Sequence, residues 1–239
     1  VTVLDFTISD SGLGGAGDGL DIILDGTTST GTVLVQNTTV DNSNGRGVYI
    51  HGANGTNPFS LGNIRLDNVT STFSNTADGI AVDLDGTGTV ANVEMQDVTA
   101  GFSNGVGVHV ELTGGVTVDS IDLTNVSSAF SASEGLFVDL DNVTINSDIT
   151  LTGGPNSFVT LSGLTTPSDG IRVELSSVTG TPNVSVTDYA DVSFNDGNGI
   201  AVVNSTTASV GTVTVSDNVV DNSLSGHGIN VDLFGSVGA

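Results

Sequence analysis

The sequence predicts an all-β protein, a right-handed parallel β-helix of about eight coils of 28–35 residues, forming one domain over residues 1–239. Three observations support this prediction. A short apolar segment recurs at a near-constant spacing, its apolar residues alternate with period two, and the composition suits short strands joined by tight turns. The 33 glycines and the abundant Ser, Thr, Asn, Val and Ile provide the third observation.

The recurring segment is a glycine followed by aliphatic residues at alternate positions. Its eight copies open at Gly19, Gly47, Gly79, Gly107, Gly135, Gly170, Gly199 and Gly228. Successive glycines are separated by 28, 32, 28, 28, 35, 29 and 29 residues. Alternation with period two is typical of a strand with one buried face. A fixed period of this length indicates a solenoid, in which each repeat is one coil.

A second strand is predicted further along each coil. It starts at Val33, Ile64, Val93, Ile121, Val184 and Val213. After Gly135 the distance grows to 24 residues, reaching Val159, so we predict an inserted loop over about residues 142–157. At a later turn, Phe, Ser and Asn recur in successive coils. Coils in register place such equivalent side chains about 4.8 Å apart.

The stacked turn residues extend to an asparagine ladder at Asn44, Asn75 and Asn104. With this ladder, the coil pattern resembles the pectin-lyase-like right-handed β-helix family across essentially the whole chain. Leucine-rich repeats and left-handed β-helices have other periods and signatures. The resemblance is architectural, and we expect a non-catalytic, extracellular structural protein of this type.

The family resemblance implies that pectate lyase, pectin lyase and polygalacturonase activities must be weighed. Gly226, His227 and Gly228 resemble the Gly-His-Gly of polygalacturonases, but the paired aspartate motifs of those enzymes are missing. The chain has no lysine, and Arg172 lies two residues from Glu174, which favours a salt bridge over a catalytic base. We therefore predict no catalytic residues and no enzymatic activity, with polysaccharide cleavage as the least favoured alternative.

The net charge of −24, from 27 acids and three arginines, predicts no nucleic-acid partner and no anionic membrane partner. Carboxylates occupy outward positions of successive first strands, at Asp83, Asp85, Glu111, Asp139, Asp141 and Glu174. At about 4.8 Å, neighbouring charges repel by about 0.9 kcal/mol in water, so cations are expected there. These oxygen ligands suit Ca²⁺, although no cofactor is required. The alternative is a solvated acidic face with loosely held counterions.

The two ends of the sequence have matching patterns. The first residues reproduce the apolar offsets of the strand that starts at Val213, and joining the last residue to the first gives a coil of 30 residues. We therefore expect subunits to stack head to tail into a filament or surface fibre. The predicted interface comprises Val1, Val3, Ile8, Ile229, Val231 and Leu233. Alternatives are a segment of a longer repeat protein, ends that pair within one molecule, and a surface adhesin that binds carbohydrate.

Localisation is predicted from weaker signals. The chain begins with Val rather than Met, as after removal of a leader, so we expect an extracellular or cell-surface location. There is no cysteine, and stability must come from the solenoid core. Among the Asn-x-Ser/Thr sequons, Asn54 and Asn142 lie in loop-like segments and are the preferred glycosylation candidates.

Overall fold

A computed structural model describes residues 1–12, 15, 17–24, 31–52, 58–163, 168–206 and 208–233. These residues form strands and turns without a helix. The strands in chain order are β1 (Thr2–Leu4), β2 (Thr7–Ser9), β3 (Leu20–Ile23), β4 (Val33–Ser43), β5 (Val48–His51), β6 (Phe59–Ser74), β7 (Ile80–Leu84), β8 (Gly88–Ser103), β9 (Val108–Thr113), β10 (Thr117–Thr124), β11 (Ser127–Ser131), β12 (Leu136–Asp141), β13 (Thr144–Ile145), β14 (Ile149–Thr152), β15 (Phe158–Thr160), β16 (Ile171–Ser176), β17 (Val184–Thr187), β18 (Asp191–Ser193), β19 (Ile200–Asn204), β20 (Val213–Ser216), β21 (Val220–Asp221) and β22 (Ile229–Asp232). Among the described residues there is no helix that could cross a membrane.

The strands stack as a parallel β-helix of about seven turns, which confirms the predicted fold class. One sheet has eight strands in the order β22, β19, β16, β12, β9, β7, β5 and β3, and the other sheet has 14. Each of the eight glycine segments supplies one strand of the eight-stranded sheet. A complete turn runs from one strand of this sheet to the next, so eight strands give seven complete turns. The prediction of eight coils counted the two partial coils at the ends as one.

The core consists of columns of stacked aliphatic side chains. The strand registers place Leu20 over Val48 and Ile22 over Ile50, and continue in the same way to Ile229 and Val231. In the middle coils these side chains have no exposed surface. Burying each one contributes about 1.5–3 kcal/mol, so the core alone favours this register.

A column of glycines lies where successive coils approach most closely. A Cβ atom added to Gly107 would lie 2.5 Å from the carbonyl oxygen of Gly135, and one added to Gly79 would lie 2.6 Å from that of Gly107. Real Cβ contacts are not this short. The glycine that opens each of the first seven repeats is therefore required because the next coil's backbone occupies the space of a side chain.

At one corner, every coil except that of β14, which has Gly153 there, is turned by a residue in the left-handed conformation. The members of this corner ladder have φ between 50° and 63°, and they are Asp5, Asn37, Asn68, Asp97, Asn125, Asp188 and Asp217. Asn and Asp tolerate this conformation better than other non-glycine residues. The amide Nδ2 of Asn68 donates to Oδ1 of Asn37 at 2.9 Å, and Nδ2 of Asn37 donates to Oδ1 of Asp5 at 2.9 Å. The ladder thus links coils as well as turning the chain.

The loop predicted over about residues 142–157 is wrong, because that segment contains β13 and β14. Ile149 pairs with Ile121 and with Val184, so the second strand of this coil starts at Ile149. Val159 pairs with Ser128 of β11 and belongs to a later strand of the coil. This coil has 35 residues, seven more than the preceding coil of 28, and the seven extra residues are divided between two places. Three lie between Ile149 and Val159, and four lie between Val159 and the following glycine.

Candidate functional site

The outer side of the eight-stranded sheet brings four of the six predicted carboxylates together in a single column, here called the acidic column. Asp83 pairs with Glu111, Glu111 with Asp139, and Asp139 with Glu174, each from a successive coil. The column follows from the sequence, because alternate residues of strands in register point to the same face. It lies at the centre of the sheet, away from both end coils.

Burial and mutual repulsion disfavour ionisation in this column. Partial burial, together with the charges of Asp83 and Asp139, raises the pKa of Glu111 above its usual range, although His109 opposes this shift. Partial burial and the charge of Glu174 likewise raise the pKa of Asp139. The column therefore holds more negative charge than its surroundings compensate.

A second outward column contains the other predicted ligands but is interrupted. Asp141 pairs with Thr113, which separates it from Asp85, and the Thr113 hydroxyl donates to Oδ1 of Asp85 at 3.2 Å. In the described part of the chain, no three His, Asp or Glu side chains are grouped so that they could hold a metal ion. Bound calcium stays a prediction. Asp25, which the sequence places beside these residues, lies outside the described residues.

Hydrogen-bonding and basic groups flank the acidic column on the same sheet. The Tyr49 hydroxyl donates to Oδ2 of Asp83 at 2.9 Å, and the His51 ring stacks on Tyr49 with 4.1 Å between centroids. Arg172 bonds Glu174 at 2.7 Å and Asp169 at 2.8 Å, which is the salt-bridge role predicted for it. Because its guanidinium is held by two carboxylates, Arg172 is not arranged as a base.

A largely buried Asp78–His109 pair lies beside the column, and no sequence pattern predicts it. The ring Nδ1 of His109 lies 3.4 Å from Oδ2 of Asp78, and both side chains are largely buried. Burial alone would lower the pKa of His109, but Asp78 and the neighbouring acids raise it on balance. Burial would raise the pKa of Asp78, but the hydrogen bond with His109 lowers it. Each member of the pair therefore favours the charged form of the other.

The end coils expose side chains that are buried in every middle coil. Val1 is 67% exposed, Ile229 48% and Val231 45%, whereas their equivalents Ile64, Val108 and Val110 have no exposed surface. Val3 and Ile8 are partly buried against the core. Within the described residues, β1, β2 and β3 pair on one side only, as do β20, β21 and β22. Both ends thus present an apolar core section beside open strand edges.

The remaining predicted residues lie at turns. Asn142 is exposed, although its backbone N–H donates to the carbonyl of Ser176 at 2.9 Å. Asn54 lies outside the described residues. His227 is exposed before the last strand, where its backbone N–H donates to Oδ1 of Asn198 at 2.8 Å. Glycosylation at Asn54 and Asn142 stays a prediction.

No protein-family model matches the chain, and neither a curated protein nor a solved structure shows significant similarity to it. The geometry of the end coils and of the sheet faces is therefore the basis for assigning a function.

Proposed function

We propose that this chain is an extracellular structural subunit that stacks head to tail, each C-terminal half-coil being completed by the N-terminal half-coil of the next copy. The filament or surface fibre that results is a continuous parallel β-helix of the pectin-lyase-like type. Its acidic column holds cations or keeps neighbouring fibres apart. At about 4.8 Å for each of eight coils, the subunit repeat is about 38 Å.

The observation behind this proposal is that both end coils present the same core columns. Extending the strand registers by one coil puts Val1 on Val213, Val3 on Val215, Ile8 on Val220, Leu20 on Ile229, Ile22 on Val231 and Leu24 on Leu233. Every contact in this series joins two aliphatic side chains. A head-to-tail contact of this kind is heterologous and does not close on itself, so it produces an open filament.

Stacking also covers the open strand edges, whose unpaired N–H and C=O groups could otherwise pair with other chains and cause aggregation. The backbone groups of β22 would pair with β3 of the next copy, and those of β20 with β1. The hydrogen bonds are of the same kind as those between the inner coils. Each new pair of strands therefore adds both backbone bonds and buried apolar area to the contact.

Gly228 provides the sharpest test, because it is the last member of the glycine column. Among the described residues, a Cβ at Gly228 would have only Cγ1 of Val220 nearby, at 3.7 Å, whereas inner members of the column meet the next carbonyl at 2.5–2.8 Å. In a stacked filament, the carbonyl of Gly19 from the next copy would occupy that space. We expect Gly228→Ala to leave the subunit folded but to abolish fibres, as seen by electron microscopy and sedimentation velocity.

Gly101→Ala is the matched control, since an added Cβ there meets only Cγ2 of Thr72, at 3.8 Å. It should form fibres like the unmodified chain. Fibres of Gly228→Ala with an unchanged axial repeat would reject coil completion. So would particles of the unmodified chain that stay one subunit long at every concentration, with or without calcium. The adhesin alternative would then be tested by binding to carbohydrate arrays.

A further inference from the structure

A second left-handed corner of the coils is occupied mainly by bulky apolar residues. Its members have φ between 52° and 59°, and they are Asp10, Asn42, Phe73, Phe102, Phe130, Leu161, Phe194 and Asn222. The end coils use Asp and Asn, which suit this conformation, while the middle coils use Phe and, in one coil, Leu. A bulky residue held there costs about 1–3 kcal/mol. Folding alone would be served better by Asn, so the phenylalanines call for another explanation.

Three of the phenylalanines form a continuous exposed stack, here called the Phe ladder: Phe73, Phe102 and Phe130. Ring centroids are 4.8 Å and 4.5 Å apart, with interplanar angles of 13° and 4°. The rings are 38–48% exposed. Each stacked pair contributes about 0.5–1.5 kcal/mol, which offsets only part of the conformational cost. The ladder therefore keeps a row of apolar ring edges in solvent.

The geometry of the ladder selects among partners. A sugar ring packs on an aromatic face, but the inner faces of this stack are covered by the neighbouring rings. What remains available is a ridge of ring edges with a repeat of one coil. A surface with the same repeat and an adjacent groove would fit this ridge along its whole length.

The chain itself has such a groove, directly beside the ladder. The groove is lined by Phe73, Ser74, Asn75, Phe102, Ser103, Asn104, Phe130 and Ala132. None of these residues is charged, although the chain has a net charge of −24. Two copies repel each other over most of their surface, and this strip is a place where they can approach closely.

We propose that the Phe ladder is a lateral self-association surface, at which two copies pair about a two-fold axis with the ladder of each copy in the groove of the other. The contact is isologous, because the same patch serves both partners. It does not depend on end-to-end stacking, since the ladder lies in the middle coils. In a filament, it would join fibres side by side.

The experiment measures sedimentation velocity in the Gly228→Ala background, in which end-to-end stacking is blocked. We expect a concentration-dependent dimer that strengthens with added NaCl, because salt screens the repulsion between like charges. Phe102→Asn should weaken the dimer at least about tenfold, as for a central aromatic in an interface. Because Asn occupies this corner in other coils, the variant should fold at least as well, which thermal unfolding would verify.

Val203→Asn is the control, since it removes an outward aliphatic side chain from the opposite sheet. It should dimerise normally. A chain that stays monomeric at high concentration and high salt would overturn the proposal, as would a Phe102→Asn variant that dimerises with unchanged affinity. A glycan that binds the monomer and is lost in Phe102→Asn would instead identify carbohydrate as the occupant.

Discussion

Replacement of Gly107 by alanine tests whether close approach of coils, rather than backbone flexibility, explains the repeated glycine. The added Cβ would lie 2.5 Å from the carbonyl oxygen of Gly135 and 1.9 Å from Oγ of Ser128. The serine can rotate away, but the carbonyl belongs to the backbone of the next coil. A carbon and a carbonyl oxygen normally stay about 3.3–3.6 Å apart, so the two coils must separate by about 1 Å.

The cost follows from what this separation breaks. The N–H of Val108 donates to the same carbonyl at 3.0 Å, and the N–H of Gly107 donates to the carbonyl of Glu134 at 3.0 Å. Widening by about 1 Å takes both beyond hydrogen-bonding distance, at about 1 kcal/mol each. Strain in the packed core lowers the free energy of unfolding by a further amount of about 1–3 kcal/mol. Alanine has less conformational entropy than glycine in the unfolded chain, which stabilises the fold by about 0.4–1 kcal/mol. The net loss is about 2–4 kcal/mol.

Differential scanning calorimetry would report this loss as a Tm lowered by about 5–15 °C, at 2–4 °C for each kcal/mol in a chain of this length. Gly101→Ala, in which the added Cβ has only an ordinary contact at 3.8 Å, should leave Tm unchanged or slightly raised. If Gly107→Ala and Gly101→Ala melted at the same temperature, steric contact between coils would not be the reason for the glycine column.

Three further outcomes are expected. The Asp78–His109 pair should stabilise the fold between about pH 4 and 6.5, since the lowered pKa of Asp78 loses its contribution as pH falls and the raised pKa of His109 loses its contribution as pH rises. The Tm deficit of His109→Gln should therefore shrink at alkaline pH, and a deficit independent of pH would contradict this. Because the pKa of Asp139 is raised, Asp139→Asn should increase Tm by a degree or two at pH 7 and by less at pH 3. The same substitution should reduce any stabilisation by calcium. The control variant Asp217→Asn should not reduce it. In the corner ladder, Asn68→Ala should cost about 1–2 kcal/mol in chemical denaturation and Asn68→Gly less, and equal losses would show that the left-handed conformation is not the cause.

The periodic features were predictable because each depends on spacing alone. The inward columns, the acidic column and the Phe stack follow from period-two alternation combined with a fixed coil length. The structure places Asp83, Glu111, Asp139 and Glu174 in the predicted order. Register is the only information that such a column needs, and the glycine segments supply it.

The features that were missed depend on small offsets or on contacts between distant turns. The coil that starts at Gly135 has two short insertions, but its sequence pattern predicts a single long loop. The reason is that Val159 fits the start of a second strand, although it pairs with Ser128 of a later strand. Ile149 has the ordinary spacing of fourteen from Gly135, and the second strand of this coil starts there. Asp78 reaches His109 from a turn in the preceding coil, and no local pattern relates the two residues.

The corner ladder that runs from Asp5 to Asp217 makes the bend of a coil independent of the side chains that fill its core. Because one residue fixes the bend in all coils but that of β14, aliphatic side chains of different size can replace each other inside, as Leu66, Met95 and Leu123 do in neighbouring coils. The coil with extra residues before Val159 has Gly153 at this corner, outside the left-handed region, and β14 still pairs in register with both neighbouring coils. A chain built in this way can gain or lose whole coils by duplication or deletion and keep the same cross-section throughout.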